Sequence, residues 1–302
     1  MLGLAVTAIY VTSDADEPLT TEIESENYIK AAEIIEYGQP KKLFLRSGVA
    51  LVMDDREGVI LYERNSDRPR PIASLTKIMT ALVIFESGSP LNTLIEITRA
   101  DRDRLRGTGS RLAYGALVSR FDLLRAAVGA SDNRAAAALA RTYPGDEKAM
   151  IRAMNTLARG LGMRHTRFTD SSGLDNGNVS TARDLALLSA ATEKYPLLRE
   201  IASEPSFTVI DHASGREISF HNTNRLVQRD TWDISLSKTG YTSAAGNCLL
   251  MQTIIGNRPV TIVLLNSWGK YSRYGDVNRI QKWLLNAEQN VPPEQTASTS
   301  TS

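Results

Sequence analysis

Apolar positions come first in two short strand-like runs, then in helical spacing, then in strand-length runs again. Residues 48–54 and 59–64 are apolar or alternating and are joined by Asp55-Arg56-Glu57-Gly58, which predicts a β-hairpin. Residues 72–85 form a long apolar segment without turn residues, ended by Gly88 and Pro90, and predict a buried helix. Helical spacing continues at 121–128, 134–142, 146–161 and 181–194, the last opened by a Thr181 and Asp184 capping pair. Strand-like runs follow at 207–211, 217–221, 234–239, 248–255 and 260–266, and an amphipathic helix near 277–285 closes the pattern. No internal repeat is present.

Strands, a block of helices, more strands and a final helix do not alternate as βαβ units would. A parallel doubly wound sheet is therefore disfavoured and an α+β fold with an antiparallel sheet expected. The early hairpin has to join the late strands, with the terminal helix on one face and the all-helical middle packed as a second lobe. A cleft between lobes is the default place for a site.

Composition narrows the class. The 302 residues carry 35 Lys plus Arg against 34 Asp plus Glu, interspersed throughout, so no basic stripe marks a nucleic-acid surface. With 42% hydrophobic and 23% charged residues the chain is globular. One cysteine, Cys248, precludes an internal disulfide, and with three scattered histidines a Cys/His zinc site is not expected.

The ends depart from the average. Residues 2–11 are apolar over the length of a signal-peptide core, too short to span a bilayer, and the first basic residue is Lys30. This reads as a clipped or mis-started export signal, with a short apolar strand or frayed end as the alternative. Residues 1–40 are accordingly expected to be signal remnant and acidic linker, 45–287 the folded domain, and 288–302 a disordered polar tail.

Three motifs bear on chemistry, each weak alone. Ser74-Leu75-Thr76-Lys77 opens the apolar helix. Three residues of helix rotate about 300° and rise about 4.5 Å, so Ser74 and Lys77 share a face one turn apart. A serine hydroxyl needs a base to become a nucleophile, and burial against Ile72, Ile78 and Met79 together with the positive end of the helix dipole pushes a lysine toward neutrality. The same spacing recurs at Ser235/Lys238 and Ser267/Lys270, but in strand-like segments, where residues three apart face opposite sides. Ser131-Asp132-Asn133 lies between helical patterns: a second hydroxyl for proton transfer and an amide for a substrate peptide, or simply a capping turn. Another S-x-N at Ser25-Glu26-Asn27 precedes Ser74 in an acidic segment and is not a credible partner. Lys238-Thr239-Gly240 ends a strand-like run, where Gly240 permits close backbone approach and the strand can pair with an extended peptide, or it is a strand ending in a turn.

Taken in order, these motifs resemble the set shared by penicillin-binding proteins and serine β-lactamases. The stretches 68–77, 161–168, 173–175, 179–185 and 238–246 are similar to those of the low-molecular-mass D-alanyl-D-alanine peptidases, most of all their endopeptidase branch. The likeness runs from about 47 to 285. It implies a five-stranded antiparallel sheet with flanking helices plus an all-helical lobe. It implies Ser74 as acylated nucleophile, Lys77 as its base and Ser131 as proton relay. Asn133 would orient the substrate, Lys238 and Thr239 would hold a terminal carboxylate, and the backbone N–H groups of Ser74 and Tyr241 would form the oxyanion hole. The implied partners are peptidoglycan stem peptides and crosslinks, with β-lactams as covalent inhibitors, in the periplasm after export. No nucleic acid, metal, organic cofactor or transmembrane anchor is implied, though loose association with membrane or wall is compatible.

Other readings stay open. Endopeptidase against carboxypeptidase depends on how the cleft treats what lies beyond the scissile bond. A class A β-lactamase shares the motifs but uses a glutamate after the second one to activate the deacylating water, and no Glu occurs between Glu147 and Glu193. A noncatalytic wall scaffold is disfavoured by the intact motifs, and a Ser-His-Asp hydrolase by the absence of a Gly-x-Ser-x-Gly elbow; His165, His212 and His221 are read as structural.

Overall fold

The computed structural model describes residues 28–293. Helix α1 (Ala31–Gly38) leads into strands β1 (Ser47–Asp54) and β2 (Val59–Arg64), a two-residue strand β3 (Arg70–Pro71), a 3-10 turn (Ala73–Leu75) and helix α2 (Thr76–Glu86). The helical middle holds the short strands β4 (Leu94–Glu96) and β5 (Leu117–Ser119), helices α3 (Arg120–Val128), α4 (Asn133–Arg141) and α5 (Glu147–Gly160), strand β6 (Val179–Ser180), and helices α6 (Ala182–Ala191) and α7 (Pro196–Ser203). Strands β7 (Ser206–Asp211), β8 (Arg216–His221), β9 (Asp233–Thr242), β10 (Gly246–Ile255) and β11 (Arg258–Ser267) precede helix α8 (Ser272–Asn290).

The expected α+β architecture is present. Five antiparallel strands run in the order β2-β1-β11-β10-β9, so the early hairpin joins the late strands through the pairing of β1 with β11. Residues alternate across the pleat. Val49 and Leu51 face the core shared with α2 and the helical lobe, while Ala50 and Val52 face a second core shared with α1 and α8. Both sheet faces are thus covered, which is why β1, β10 and β11 read as continuous apolar runs.

Two of the late strands depart from the single expected sheet. β7 and β8 pair only with each other. Their burial alternates, with Phe207, Val209, Ile218 and Phe220 inward and their neighbours exposed. A hairpin with one apolar face cannot occupy a sheet buried on both, so it lies as a separate flap on the helical lobe. Helix α7 was not anticipated; Pro196 at its first turn was the available signal.

The linker expected through residue 40 is partly folded. Ala31 and Ile34 are fully buried, Trp283 Nε1 donates to the Gly38 carbonyl at 2.7 Å, and Tyr28 Oη donates to Asp54 at 2.5 Å beside the buried Arg258–Asp54 ion pair. Acidic residues dominated the reading of this stretch and hid the short apolar face that docks on α8. The expected tail begins later too: α8 runs to Asn290, and Val291 is buried. The apolar run at 2–11, the Ser25-Glu26-Asn27 triplet and the Ser/Thr-rich end lie outside the described residues.

Candidate active site

The anticipated helix start at Ile72 is displaced. Ala73 takes a left-handed backbone (φ 48°), Ala73–Leu75 form the 3-10 turn, and regular helix begins at Thr76. A non-glycine residue in that region carries local strain of about 1–3 kcal/mol, retained only where neighbours over-determine it. Here the strain lifts Ser74 out of the helix to the cleft floor, while Lys77 remains in the first turn of α2. Lys77 Nζ donates to Ser74 Oγ at 3.0 Å, to Asn133 Oδ1 at 2.6 Å and to the Ser172 carbonyl at 2.6 Å.

Lys77 is wholly buried, and that desolvation lowers its pKa to about 8, against an opposing pull from the carboxylates of Asp170, Asp132 and Asp103. The neutral amine is therefore accessible near physiological pH. A lower folded pKa means the base form grows as pH rises. Acylation of Ser74 should climb roughly tenfold per pH unit below about 8 and level off above it. Stopped-flow acylation by a chromogenic β-lactam from pH 6 to 9.5 measures this; a flat profile would remove Lys77 as the base.

β9 closes the other side. It is an edge strand, and a Cβ on Gly240 would lie 3.0 Å from Ser74 N and 3.1 Å from Ile72 O, so the strand backbone abuts the serine turn with no room for a side chain. Lys238 is buried and donates to the Thr239 carbonyl at 3.0 Å. Burial pushes its pKa well down, with repulsion from Lys77 and Arg273 adding to the effect. Thr239 Oγ1 donates to Thr223 Oγ1 at 2.8 Å, and Tyr241, next but one along the strand, is 66% exposed at the cleft rim.

The second motif comes from the turn between α3 and α4. Ser131 is left-handed (φ 59°), Asp132 caps α4 by accepting from Ala135 N at 2.9 Å, and Asn133 is the first helical residue. Asn133 reaches Lys77 with its oxygen and donates from Nδ2 to Thr108 Oγ1 at 2.9 Å. Ser131 sits on the same wall, but its hydroxyl bonds neither Ser74 nor Lys77.

One contributor escaped sequence reasoning. The loop after Phe168 supplies the Ser172 carbonyl to Lys77 and the Ser171 carbonyl to Thr80 Oγ1 at 2.6 Å. Asp170 shapes it, accepting the N–H groups of Ser172 (2.6 Å), Gly173 (2.5 Å) and Asp175 (2.6 Å). An Asp followed by Ser-Ser-Gly is an Asx-turn signal that pointed to a turn, not to a lysine ligand. The serines of the two decoy pairs are engaged elsewhere: Ser235 accepts from Arg199 at 2.6 Å and Ser267 Oγ bonds Ser47 Oγ at 2.6 Å.

The sequence of residues 37–269 matches a peptidase family described as D-alanyl-D-alanine carboxypeptidase. A Pseudomonas aeruginosa protein named D-alanyl-D-alanine endopeptidase is 43% identical over 85% of this chain and 83% of its own length. Its Escherichia coli namesake is 40% identical over 84% of this chain and 81% of its own. Among solved structures, penicillin-binding protein D2 of Listeria monocytogenes in its ampicillin-bound form superposes with a TM-score of 0.69 at 30% identity, covering 81% of this chain and 99% of that one. With a Ser-Lys pair, an Asn-bearing helix start and a Lys-Thr-Gly edge strand around one cleft, the chain belongs to this family of serine D-Ala-D-Ala peptidases, peptidase S11.

Proposed function

We propose that the protein is a D-alanyl-D-alanine endopeptidase that cuts peptide crosslinks of peptidoglycan through an ester on Ser74. The observation that carries the reading is Ser74 Oγ held 3.0 Å from a buried lysine, with the Gly240 backbone pressed against the same turn. Lys77 is neutral in roughly one molecule in ten at pH 7, given its pKa of about 8. In that form it accepts the Ser74 proton as Oγ bonds the scissile carbonyl carbon. The resulting oxyanion takes hydrogen bonds from the Ser74 and Tyr241 N–H groups. The Ser131 hydroxyl, which does not bond Lys77 in the free protein, turns into line with the bound substrate and passes the proton from Lys77 to the leaving nitrogen, and the C–N bond breaks. Asn133 orients the substrate amide. Lys238 and Thr239 hold the carboxylate on the leaving side; that anion favours the charged form of Lys238, whose charge in turn disfavours charge on Lys77. Water completes the cycle by hydrolysing the ester.

β-Lactams follow the same first step and stall at the second. The carboxylates whose fields reach Lys77 are already engaged: Asp170 by three N–H groups, Asp132 by the α4 cap, and Asp103 by the N–H groups of Leu105, Arg106 and Thr108. None is free to activate a water on a crowded adduct. Intact-mass spectrometry should show a benzylpenicillin adduct on Ser74 that persists for many minutes, whereas rapid turnover would make the protein a β-lactamase. Crosslinked muropeptide dimers and free pentapeptide, digested side by side and resolved by mass, test the bond preference: the dimer is cleaved faster, and the reverse order would make it a carboxypeptidase. That such a substrate lies outside the cytoplasmic membrane supports a periplasmic location; no helix among the described residues is long and apolar enough to cross a membrane.

A further inference from the structure

A hollow of about 580 Å³ opens where three segments meet: the loop around Gly109 and Arg111, the Ser131–Asn133 turn, and the end of β8 at Phe220 and His221. Hydrogen bonds tie these segments together. Thr108 Oγ1 accepts from Asn133 Nδ2 at 2.9 Å and donates to Asp103 at 2.6 Å, Arg111 donates to the Ser219 carbonyl of β8, and the Thr223 N–H donates to the Gly129 carbonyl at 3.0 Å. Phe220 is held by stacking on Phe207, with ring centroids 5.5 Å apart. The walls are therefore preformed, and the volume is in the range of pockets that take a ligand. The His221 ring is exposed and makes no hydrogen bond among the described residues, and the remaining guanidinium N–H groups of Arg111 are likewise unengaged there. Two groups assigned above to the leaving residue border this hollow. Ser131, which hands the proton to the leaving nitrogen, lines it, and Thr239, which holds the leaving-side carboxylate, donates at 2.8 Å to Thr223, two residues beyond His221.

We infer that this hollow is the subsite for what continues past the leaving residue, the second stem peptide of a crosslink, and that Gly109, Arg111 and His221 set the preference for crosslinks over free pentapeptides. The inference rests on the endopeptidase reading above. In a free pentapeptide the leaving residue is a terminal alanine whose side chain is a methyl group, and nothing follows it. In a crosslink the leaving nitrogen is carried on the side chain of a residue in another peptide. That peptide has to be housed once the nitrogen is at Ser131 and the carboxylate at Lys238 and Thr239, and the hollow adjoins both anchor points. Gly109 leaves the space open, while Arg111 and His221 offer N–H donors to the carboxylates and amide carbonyls that a stem peptide carries.

Filling the hollow and trimming its wall test this. Gly109 is not left-handed and a Cβ there meets nothing within 4 Å, so Gly109→Trp adds bulk without backbone strain. His221→Ala removes an exposed ring. The ratio kcat/KM is measured for crosslinked muropeptide dimer and for free pentapeptide with wild type and both variants; comparing the two substrates on the same protein cancels any general loss of active enzyme. The dimer-to-pentapeptide preference is expected to fall about tenfold in Gly109→Trp and about threefold in His221→Ala. A preference in Gly109→Trp equal to or above that of wild type would overturn the subsite while leaving the endopeptidase reading intact, and the same result in His221→Ala would remove the histidine from it. Faster cleavage of pentapeptide than of dimer by wild type would overturn that reading, and the subsite with it.

Discussion

Lys77→Met should lower the acylation rate of Ser74 by about 10³-fold or more, because a general base in this position is typically worth about 10²–10⁴ and, among the described residues, no other side chain is hydrogen-bonded to Ser74 Oγ. Methionine matches the lysine stem and removes a buried amine. Three hydrogen bonds, to Ser74, Asn133 and Ser172, are lost, while the desolvation penalty that pushes the lysine pKa down is relieved. These effects oppose each other, so the midpoint of thermal unfolding should move by only a few degrees. Lys77→Arg separates a base from a mere positive charge: guanidinium keeps the charge and does not deprotonate, and acylation should fall as far as in Lys77→Met. Retention of wild-type acylation by Lys77→Arg would refute the base assignment.

Gly173→Ala is expected to damage both fold and site. Gly173 has φ +81°, where an L side chain is strained, and a Cβ there would fall on the Ala73 carbonyl oxygen, within 2.9 Å of Ser74 N. The clash is with backbone, which cannot rotate away. We expect a loss of about 3 kcal/mol, lowering the unfolding midpoint by roughly 5–10 °C, together with a fall in acylation of at least tenfold even in the folded fraction. Calorimetry paired with β-lactam titration measures both. A variant with unchanged midpoint and unchanged acylation would show that the Asp170–Gly173 loop does not press on the serine turn.

The parts of this molecule that were legible in sequence are those governed by periodicity or by local spacing. The apolar runs of β1, β10 and β11 read correctly as strands because both sheet faces are covered, and Ser74 with Lys77 read correctly as neighbours because they are three residues apart at a helix start. The order of strands within the sheet was only partly legible: the alternation over residues 206–221 marks a hairpin with one buried face, unlike the continuous apolar runs of the main sheet, but does not say on which surface that face packs. The left-handed Ala73 was invisible, since alanine carries no signature of φ > 0 and the strain is imposed by Gly173 and Gly240 from distant segments. For the same reason the Ser172 carbonyl was missed. Main-chain oxygens leave no mark in a sequence, and this one reaches Lys77 across 95 positions of chain.

The serine turn is squeezed between the glycines at 173 and 240, contributed by stretches that arrive late in synthesis. A newly made polypeptide therefore possesses no reactive centre until its distal half has docked. Radiolabelled antibiotic added during refolding would count only molecules in which both segments have closed on the serine turn, a readout of the finished site that circular dichroism, which reports total secondary structure, does not single out.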